Sequence, residues 1–158
     1  MMGIKITRTL RILLVVFIAV YIGLTVKGAT PSQTSFETMH KVIAKYQNKN
    51  TQLGNNQAVK RLYKLNPADY EGVLLYQPSS TMNAEEILVV KLKDKSQAND
   101  VKNAIEERKK TQLNTFKGYG ATQTDLLNKS IIDVQPNYIL YVVDGKASVI
   151  DDAFRKAL

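Results

Sequence analysis

Apolar residues form one uninterrupted run near the start of the chain and recur after it at the spacings of helices and strands. The run from Ile12 to Val26 has no charged residue and only two polar ones, Tyr21 and Thr25. As a helix it would measure about 22 Å, which is shorter than the hydrocarbon core of a bilayer, about 30 Å. The side chains of Arg11 and Lys27, at the two ends, would extend their charged groups to the membrane–water interfaces, so that the helix could still span the bilayer. The pattern therefore predicts a membrane anchor, with a cleaved signal peptide as the alternative.

The basic residues around this run are unequally distributed. Lys5, Arg8 and Arg11 precede it, and only Lys27 follows it. Because cytoplasmic flanks carry the excess of Lys and Arg, we expect a single-pass protein of the cell membrane, with its N-terminus in the cytoplasm. Its parts are then a basic tail and membrane helix, a stalk, and an extracytoplasmic domain, over residues 1–27, 28–33 and 34–158. Cleavage after the apolar run would instead release the domain as a secreted protein.

Two helices are predicted after the stalk. A capping box, with Thr34 as N-cap and Glu37 at the third helical position, begins a helix over about residues 35–47. Residues 48–56 are a polar break. The second helix ends before Pro67 and has an apolar stripe formed by Ala58, Val59, Leu62 and Tyr63.

Four strands are predicted, over residues 72–77, 87–93, 131–135 and 138–143. On the second strand, Lys91 and Lys93 share one end of a face, which we expect to reach water. The last strand is apolar on both faces, so we expect it to be central. A long helix capped by Ser96 follows the first strand pair, and a helix with a Ser148–Asp151 capping box follows the second.

This order of elements predicts the α+β class. Two helices are followed by two strand–strand–helix units, and the simplest architecture is a four-stranded antiparallel sheet. We expect the long and the C-terminal helices on one face of that sheet. The first two helices would cover an edge or the other face.

Charge and composition narrow the classes of function. The net charge is +8 over 158 residues, but four of the positive charges flank the apolar run. The remaining 18 Lys and Arg face 14 Asp and Glu, so the domain carries about +4. This surface suits an anionic envelope polymer or lipid headgroups, and without a basic recognition helix we expect no nucleic-acid partner. The absence of cysteine excludes disulfides, thiolate metal sites and a cysteine nucleophile.

No motif predicts catalysis, a cofactor or a metal site. The glycines form no phosphate-binding loop, and His40, the only histidine, is expected on a helix surface. Adjacent carboxylates such as Glu85 and Glu86 point away from each other, which makes them poor acid–base partners. We therefore expect no enzyme activity. A carboxylate-dependent hydrolase remains a second alternative, with its carboxylates drawn from Glu85, Glu86, Asp133 and Asp144.

One stretch is a candidate interaction surface. Residues 78–83 are a loop of small polar side chains, where rigid scaffolds often place recognition. Arg108, on an otherwise apolar helix face, needs a partner, for which Glu85 and Glu86 are candidates. The predicted patch comprises Ser79, Ser80, Asn83, Glu85, Glu86, Arg108 and Tyr119. The alternative is that Arg108 only extends to solvent and the loop only connects two strands.

Several stretches together resemble the DUF4358 family of domains of unknown function. They are Tyr63–Asp69, Ala84–Ile87, Arg108, Phe116–Tyr119 and Asn137–Tyr138. The resemblance spans about residues 36–158 and implies a small extracytoplasmic protein of Gram-positive bacteria, often a lipoprotein or single-pass protein. The chain departs from the family at Lys64, usually glycine, at Asn66, usually aspartate, and in lacking the lipid-modified cysteine. The membrane helix would then be the only anchor.

The anchor, the compact domain and the lack of catalytic motifs favour a non-enzymatic, membrane-tethered interaction or accessory module of the cell envelope. Its expected partner is an envelope protein. The family resemblance suggests machinery that modifies a cell-wall polymer, of which this protein would be a small subunit. The first alternative is a binder or sensor of an anionic envelope polymer.

Overall fold

The computed structural model of the protein describes Val15, Phe17 and residues 30–158. Val15 and Phe17 are helical and exposed. The rest of the predicted anchor lies outside the described residues, together with its predicted ends Arg11, Ile12, Val26 and Lys27. Among the described residues, no helix combines the length and the apolar character needed to cross a membrane. Ser32–Leu158 forms one compact unit.

The unit has the predicted α+β composition. Its helices are α1 (Phe36–Ile43), α2 (Asn56–Tyr63), α3 (Ala98–Phe116), α4 (Ala121–Asn128) and α5 (Ala147–Ala157). Its strands are β1 (Thr51–Leu53), β2 (Gly72–Pro78), β3 (Glu86–Lys91), β4 (Ile131–Val134) and β5 (Tyr138–Val143). Single 3₁₀ turns cover Ala44–Tyr46, Pro67–Asp69 and Lys95–Gln97.

The sheet has five antiparallel strands in the order β1-β2-β3-β5-β4, so the predicted four-stranded sheet is wrong by one strand. The additional strand, β1, lies inside the predicted polar break, where Gln52 pairs with Gln77 of β2. It is a three-residue edge strand with one apolar residue, Leu53, which is itself exposed. Such a strand has no alternating pattern long enough to read from sequence. The other four predicted strands are present, and β5 is central, as expected.

The helices cover both faces of the sheet. Val101 and Ile105 of α3 pack with α2, α4 and one face of the strands, whereas Ile150 and Phe154 of α5 pack with α1 on the other. The expectation that the long and C-terminal helices share a face is therefore wrong. The physical reason is that β3 and β5 are buried on both sides, which requires a cover on each.

Three helix starts differ from the predicted caps. Ser35, not Thr34, caps α1 by accepting a hydrogen bond from Thr38 N at 3.1 Å. Asp94, not Ser96, begins the turn before α3, with Ser96 N donating to Asp94 Oδ1 at 2.8 Å. The predicted Ser148–Asp151 box is absent, since the start of α5 has no side-chain cap. At α1 the side chain one position later than predicted therefore takes the capping role, and before α3 the side chain two positions earlier does, whereas at α5 Ala147 N donates to the backbone oxygen of Asp144 at 3.1 Å.

Lys91 is buried, although the strand pattern places it at the solvent end of a face. Its Nζ lies 2.6 Å from Glu71 Oε1 and 5.5 Å from the centroid of the Tyr138 ring. Burial, and then the charge of Glu71, raises the pKa of Tyr138 to about 12. A charge partner 20 positions earlier in the chain therefore allows the lysine to leave water.

The beginning of the compact unit is fastened to one end of the sheet. Ser32 N donates to Asn137 Oδ1 at 2.8 Å, and Asn137 Nδ2 donates back to Ser32 O at 2.9 Å. Ser32 Oγ also donates to the carbonyl of Leu158 at 2.8 Å. In the β3–β5 register Tyr138 faces Lys91, and Val143 faces Glu86 at the opposite end. The fastened segment and the start of β3 therefore lie at opposite ends of the sheet.

Candidate functional site

A buried ion pair joins the sheet to its longest helix. Arg108 Nη2 of α3 lies 2.7 Å from Glu86 Oε2 of β3, and Arg108 Nε donates to both carboxylate oxygens at 3.3 Å. The Glu86 side chain is 0% exposed and that of Arg108 is 13% exposed. Of the two predicted partners of Arg108, the structure thus selects Glu86. Burial alone would lower the pKa of Arg108, but the hydrogen bonds and charge of Glu86 raise it above its ordinary value.

Two further side chains donate to the same carboxylate. Tyr63 OH, at the end of α2, donates to Glu86 Oε1, and Gln112 Nε2 donates to Glu86 Oε2 at 3.3 Å. Burial, and then the negative charge of Glu86, raises the pKa of Tyr63, so this hydroxyl remains a donor. With Arg108 these groups satisfy both oxygens, as a buried carboxylate requires. The network holds α2 and α3 against the start of β3.

Helical spacing explains why Arg108 and Gln112 act together. They are four residues apart on α3, which places both on one face of the helix. Glu86 is the first residue of β3, next to the loop that connects β2 to β3. The network therefore lies where that loop, α2 and α3 meet.

A cleft of about 370 Å³ lies against this network. Arg108 and Gln112 belong both to its wall and to the network, so they connect the buried carboxylate to the open space. The lining comprises Gln52, Arg61, Leu62, Gln77, Pro78, Ser79, Ser80, Thr81, Asn83, Arg108, Gln112, Thr115 and Phe116. Eight of these thirteen residues have a hydroxyl or amide side chain. Within the described residues its only charged groups are two arginines, and no Asp or Glu lines it.

The predicted interaction patch divides among three places. Ser79, Ser80, Asn83 and Arg108 line the cleft, with Glu86 buried beside it. Glu85 points elsewhere, where it accepts from Asn48 Nδ2 at 2.8 Å and Asn50 Nδ2 at 2.9 Å. Tyr119 lines a separate depression at the end of α3. These two residues are not part of the cleft.

Several cleft residues were missed in the sequence. Gln52 belongs to the unpredicted strand β1, and Arg61 lies beyond the apolar stripe of α2. Gln112 could have been found, since it follows Arg108 by four positions on the same helix face. No signal in the sequence shows that Gln52 and Arg61 line the same cleft.

The carboxylates considered for hydrolysis do not converge on one site. Glu86 is enclosed in the Arg108 network. Glu85 and Asp144 share the donor Asn48 Nδ2, at 2.8 and 3.1 Å, and Asp133 lies on β4. None of these four residues lines the cleft. In the part of the chain that the structure describes, no three Asp, Glu or His side chains are placed to hold a metal ion.

A second buried carboxylate pair joins β4 to α5. Arg155 Nε lies 2.8 Å from Asp133 Oδ2 and 3.1 Å from Asp151 Oδ2. Gln135 Nε2 donates to Asp133 Oδ1 at 2.7 Å. Burial, and then Asp133, raises the pKa of Asp151, against the opposing effect of Arg155. This cluster stabilises the packing of α5 and lies away from the cleft lining.

Comparison with known proteins places the chain in a family. Residues 44–144 match the sequence model of the family described as "Domain of unknown function (DUF4358)". The chain belongs to this family. The DUF4358 region contains every residue of the cleft lining, as well as Tyr63 and Glu86 of the buried network. The chain matches no curated protein and no solved structure.

Proposed function

We propose that this protein is a non-enzymatic interaction module of the bacterial cell envelope. The apolar run at residues 12–26 would tether it to the cell membrane, with the domain on the outer side. The carrying observation is the cleft, whose lining among the described residues is rich in hydroxyl and amide side chains and contains no carboxylate. Such a surface is suited to binding rather than to acid–base chemistry.

The surroundings of the cleft support a protein partner. Met82 on the β2–β3 loop is 64% exposed, and Tyr119 after α3 is 63% exposed. Methionine and aromatic residues are enriched in protein interfaces. The loop is already ordered, because Ser79 N donates to Asn50 O at 2.8 Å and Ala84 N to Gln123 Oε1 at 2.9 Å. A preformed loop loses little conformational entropy on binding.

Photocrosslinking in intact cells tests this function. A photoreactive residue would replace Ser80, Met82 or Tyr119 in the full chain, with Val149 as the control. Val149 is 50% exposed and lies on α5, which covers the opposite face of the sheet. We expect the same membrane-protein adduct from two or more of the first three positions and none from Val149. Equal capture at all four positions, or none at any, would contradict the proposal.

Co-purification tests the more specific role of a small subunit in machinery that modifies a cell-wall polymer. Solubilised in detergent at native expression, the full chain should recover a stoichiometric membrane protein. Substitution of Met82 by Asp should abolish recovery, whereas Val149→Asp should not, because only the first lies beside the cleft. Purification of the wild-type chain alone would argue against a stable subunit.

A second candidate function is the binding of an anionic envelope polymer. Arg61 and Arg108 favour it, because they are the charged groups of the cleft lining. Binding by exposed charges weakens as salt screens them, so polymer retention by the full chain should fall between low and high ionic strength. If polymer retention does not change with ionic strength, or if no polymer is retained at low salt, this candidate function is excluded.

The hydrolase alternative has a direct test. Glu85→Gln and Asp144→Asn keep the size of both side chains and remove the two carboxylates that share the donor Asn48 Nδ2. We expect cellular function and partner capture to survive both changes. A loss of function without a loss of folded protein would revive a catalytic role.

A further inference from the structure

Arg108 presents an oriented hydrogen-bond donor to the cleft. Its Nε and Nη2 are held by Glu86, and its Nη1 makes no hydrogen bond with the described residues. The pairing fixes the plane of the guanidinium, so that the remaining N–H groups are pre-aimed. Because Glu86 balances the charge of Arg108, the excess positive charge at the cleft comes from Arg61, which is exposed.

Gln112 has a buried hydrogen-bond acceptor that lacks a donor. The residue is 4% exposed and lines the cleft, and its Oε1 accepts no hydrogen bond from the described residues. Its Nε2 is committed to Glu86, which sets the orientation of the amide. A buried acceptor without a donor is unfavourable until a donor arrives. A deprotonated oxygen of an anion cannot be that donor, since it only accepts, but a hydroxyl group can.

The loop supplies additional donors. Ser80 Oγ accepts from Met82 N, which leaves the Ser80 O–H available to donate into the cleft. Thr81 lies beside it and is exposed. Two arginines and two hydroxyls offer more donors than a carboxylate can accept, and they suit the non-bridging oxygens of a phosphate ester. The volume of about 370 Å³ fits one small ligand or one repeat unit of a polymer.

We propose that the cleft binds a hydroxyl-bearing phosphate ester, the chemistry of a polyol phosphate or sugar phosphate. Arg108 and Arg61 contact the phosphate, and Gln112 Oε1 accepts a hydrogen bond from a neighbouring hydroxyl of the same ligand. This assignment deepens the second candidate function and rests on it. It is independent of the protein partner.

Calorimetry with the full chain in detergent tests the assignment with three probes. Glycerol phosphate carries both groups, methyl phosphate lacks the hydroxyls, and glycerol lacks the anion. We expect glycerol phosphate to bind roughly tenfold more tightly than methyl phosphate, and glycerol to show no binding. Equal affinity for the two phosphates in the wild-type chain would overturn the role of Gln112.

Two variants with a matched control locate the site. Arg61→Gln should weaken glycerol phosphate roughly tenfold, whereas Lys60→Gln, which removes the same charge from the same helix outside the cleft, should not. Gln112→Leu should make the two phosphates bind equally, and it should lower the melting temperature, because Glu86 loses one of its donors. Equal losses of affinity in the variants at residues 60 and 61 would show that only the net charge of the helix matters, and would overturn the site.

The outcome also separates this inference from the function on which it rests. If an anionic polymer binds the full chain in a salt-dependent way but glycerol phosphate does not, the cleft assignment fails and the second candidate stands. If neither binds, both fail, and only the protein-partner proposal remains.

Discussion

Glu86 is the residue on which the site depends, because a carboxylate that is fully buried needs all of its donors. Removing one partner of a buried ion pair costs about 3–5 kcal/mol, largely because the other charge is left unpaired. Replacing both partners by apolar side chains of similar size is often nearly neutral. The two kinds of substitution therefore distinguish the net contribution of the ion pair to stability from the cost of leaving one buried charge unpaired.

The first prediction follows from this difference. Arg108→Ala should lower the free energy of unfolding by about 3–5 kcal/mol. Arg108→Met combined with Glu86→Leu should recover only part of the loss, because the donors Tyr63 and Gln112 then have no acceptor. Urea unfolding of the full chain in detergent measures both. Lys110→Ala is the control, since its contact with Glu107 is exposed and 3.8 Å long, and it should change little. An Arg108→Ala variant as stable as the control would contradict a structural role for the pair.

The second prediction concerns Lys64, which ends α2 with φ 59° and is the only residue other than glycine with a positive φ among the described residues. The left-handed conformation favours glycine, because a Cβ crowds the following carbonyl. Lys64→Gly should therefore stabilise the protein by about 0.5–1 kcal/mol in thermal unfolding. Lys60→Gly, inside the same helix, should destabilise it by about 1 kcal/mol. Destabilisation by both substitutions would show that the side chain of Lys64 matters more than its backbone.

At the residue scale, sequence showed the need of Arg108 for a partner, since a lone charge on an apolar helix face must be paired. It misplaced Lys91, because the alternation of a strand equates charge with solvent. Glu71, the partner of Lys91, is the residue that precedes β2. It reaches Lys91 only when β2 and β3 pair in the observed register. Such a contact depends on the register between two strands, and the hydrophobic pattern of one strand does not contain that information.

Among the secondary-structure elements, α1 and β2 meet at Gly72. A Cβ at this position would lie 2.3 Å from Cγ of the Phe36 ring, so the strand accepts only glycine without rearrangement. The contact brings the first residue of α1 against the first residue of β2. It is also a part of the fold that no helical or strand period predicts, because the two residues are 36 positions apart.

The third prediction is a rescue at this contact. Gly72→Ala should cost about 1–3 kcal/mol of unfolding free energy through overpacking, and a second substitution, Phe36→Leu, should recover part of it. Gly145→Ala is the control, since no heavy atom lies within 4 Å of its added Cβ, and it should be close to neutral. Denaturant unfolding checks the three variants. A double variant less stable than Gly72→Ala alone would contradict the predicted clash.

Most elements were predictable because their apolar patterns are long. β3 and β5 are recognisable from sequence, and their two apolar faces already require cover on both sides of the sheet. The assignment of α3 and α5 to opposite faces was not predictable in the same way. Periodicity shows which residues are buried, but the direction in which the chain leaves β3 and β5 decides which face each helix covers.

On the scale of the whole molecule, the Asp133–Asp151 pair gives stability a dependence on pH. The raised pKa of Asp151 means that the folded state binds its proton more tightly than the unfolded state does. Stability therefore rises as pH falls through the folded pKa toward the unfolded value near 3.9, and the gain is lost as pH rises. The groups facing Asp151 are Asp133 and Arg155, with Gln135 bonded to Asp133.

The fourth prediction is that Asp151→Asn raises stability at neutral pH, by about 0.5–1 kcal/mol, and removes the gain on acidification. An amide can donate to Asp133 Oδ2 without adding a second negative charge. Thermal unfolding between pH 4 and pH 7 measures the effect, and Asp152→Asn, an exposed neighbour, is the control. If the stability of Asp151→Asn still rises on acidification as it does in the wild type, the pH dependence originates in another group.

The fifth prediction tests the proposed orientation of the whole chain. Because the protein contains no cysteine, a single introduced thiol reports its own side of the membrane. Ser148→Cys, at an exposed position of α5, should react with a membrane-impermeant maleimide in intact cells, whereas Gly3→Cys should react only after lysis. Reaction of both in intact cells would contradict a cytoplasmic N-terminus, and the reverse pattern would invert the topology.

The hydrogen bonds between Ser32 and Asn137 have a mechanical consequence. They fasten the beginning of the compact unit to one end of β5, whereas the cleft lies beside the start of β3, at the other end of the sheet, about 20 Å away for six residues. A partner holding the cleft while the chain is held at Ser32 would pull along the strands. The load would then fall in shear on the six residue pairs between β3 and β5 together, instead of opening them one at a time.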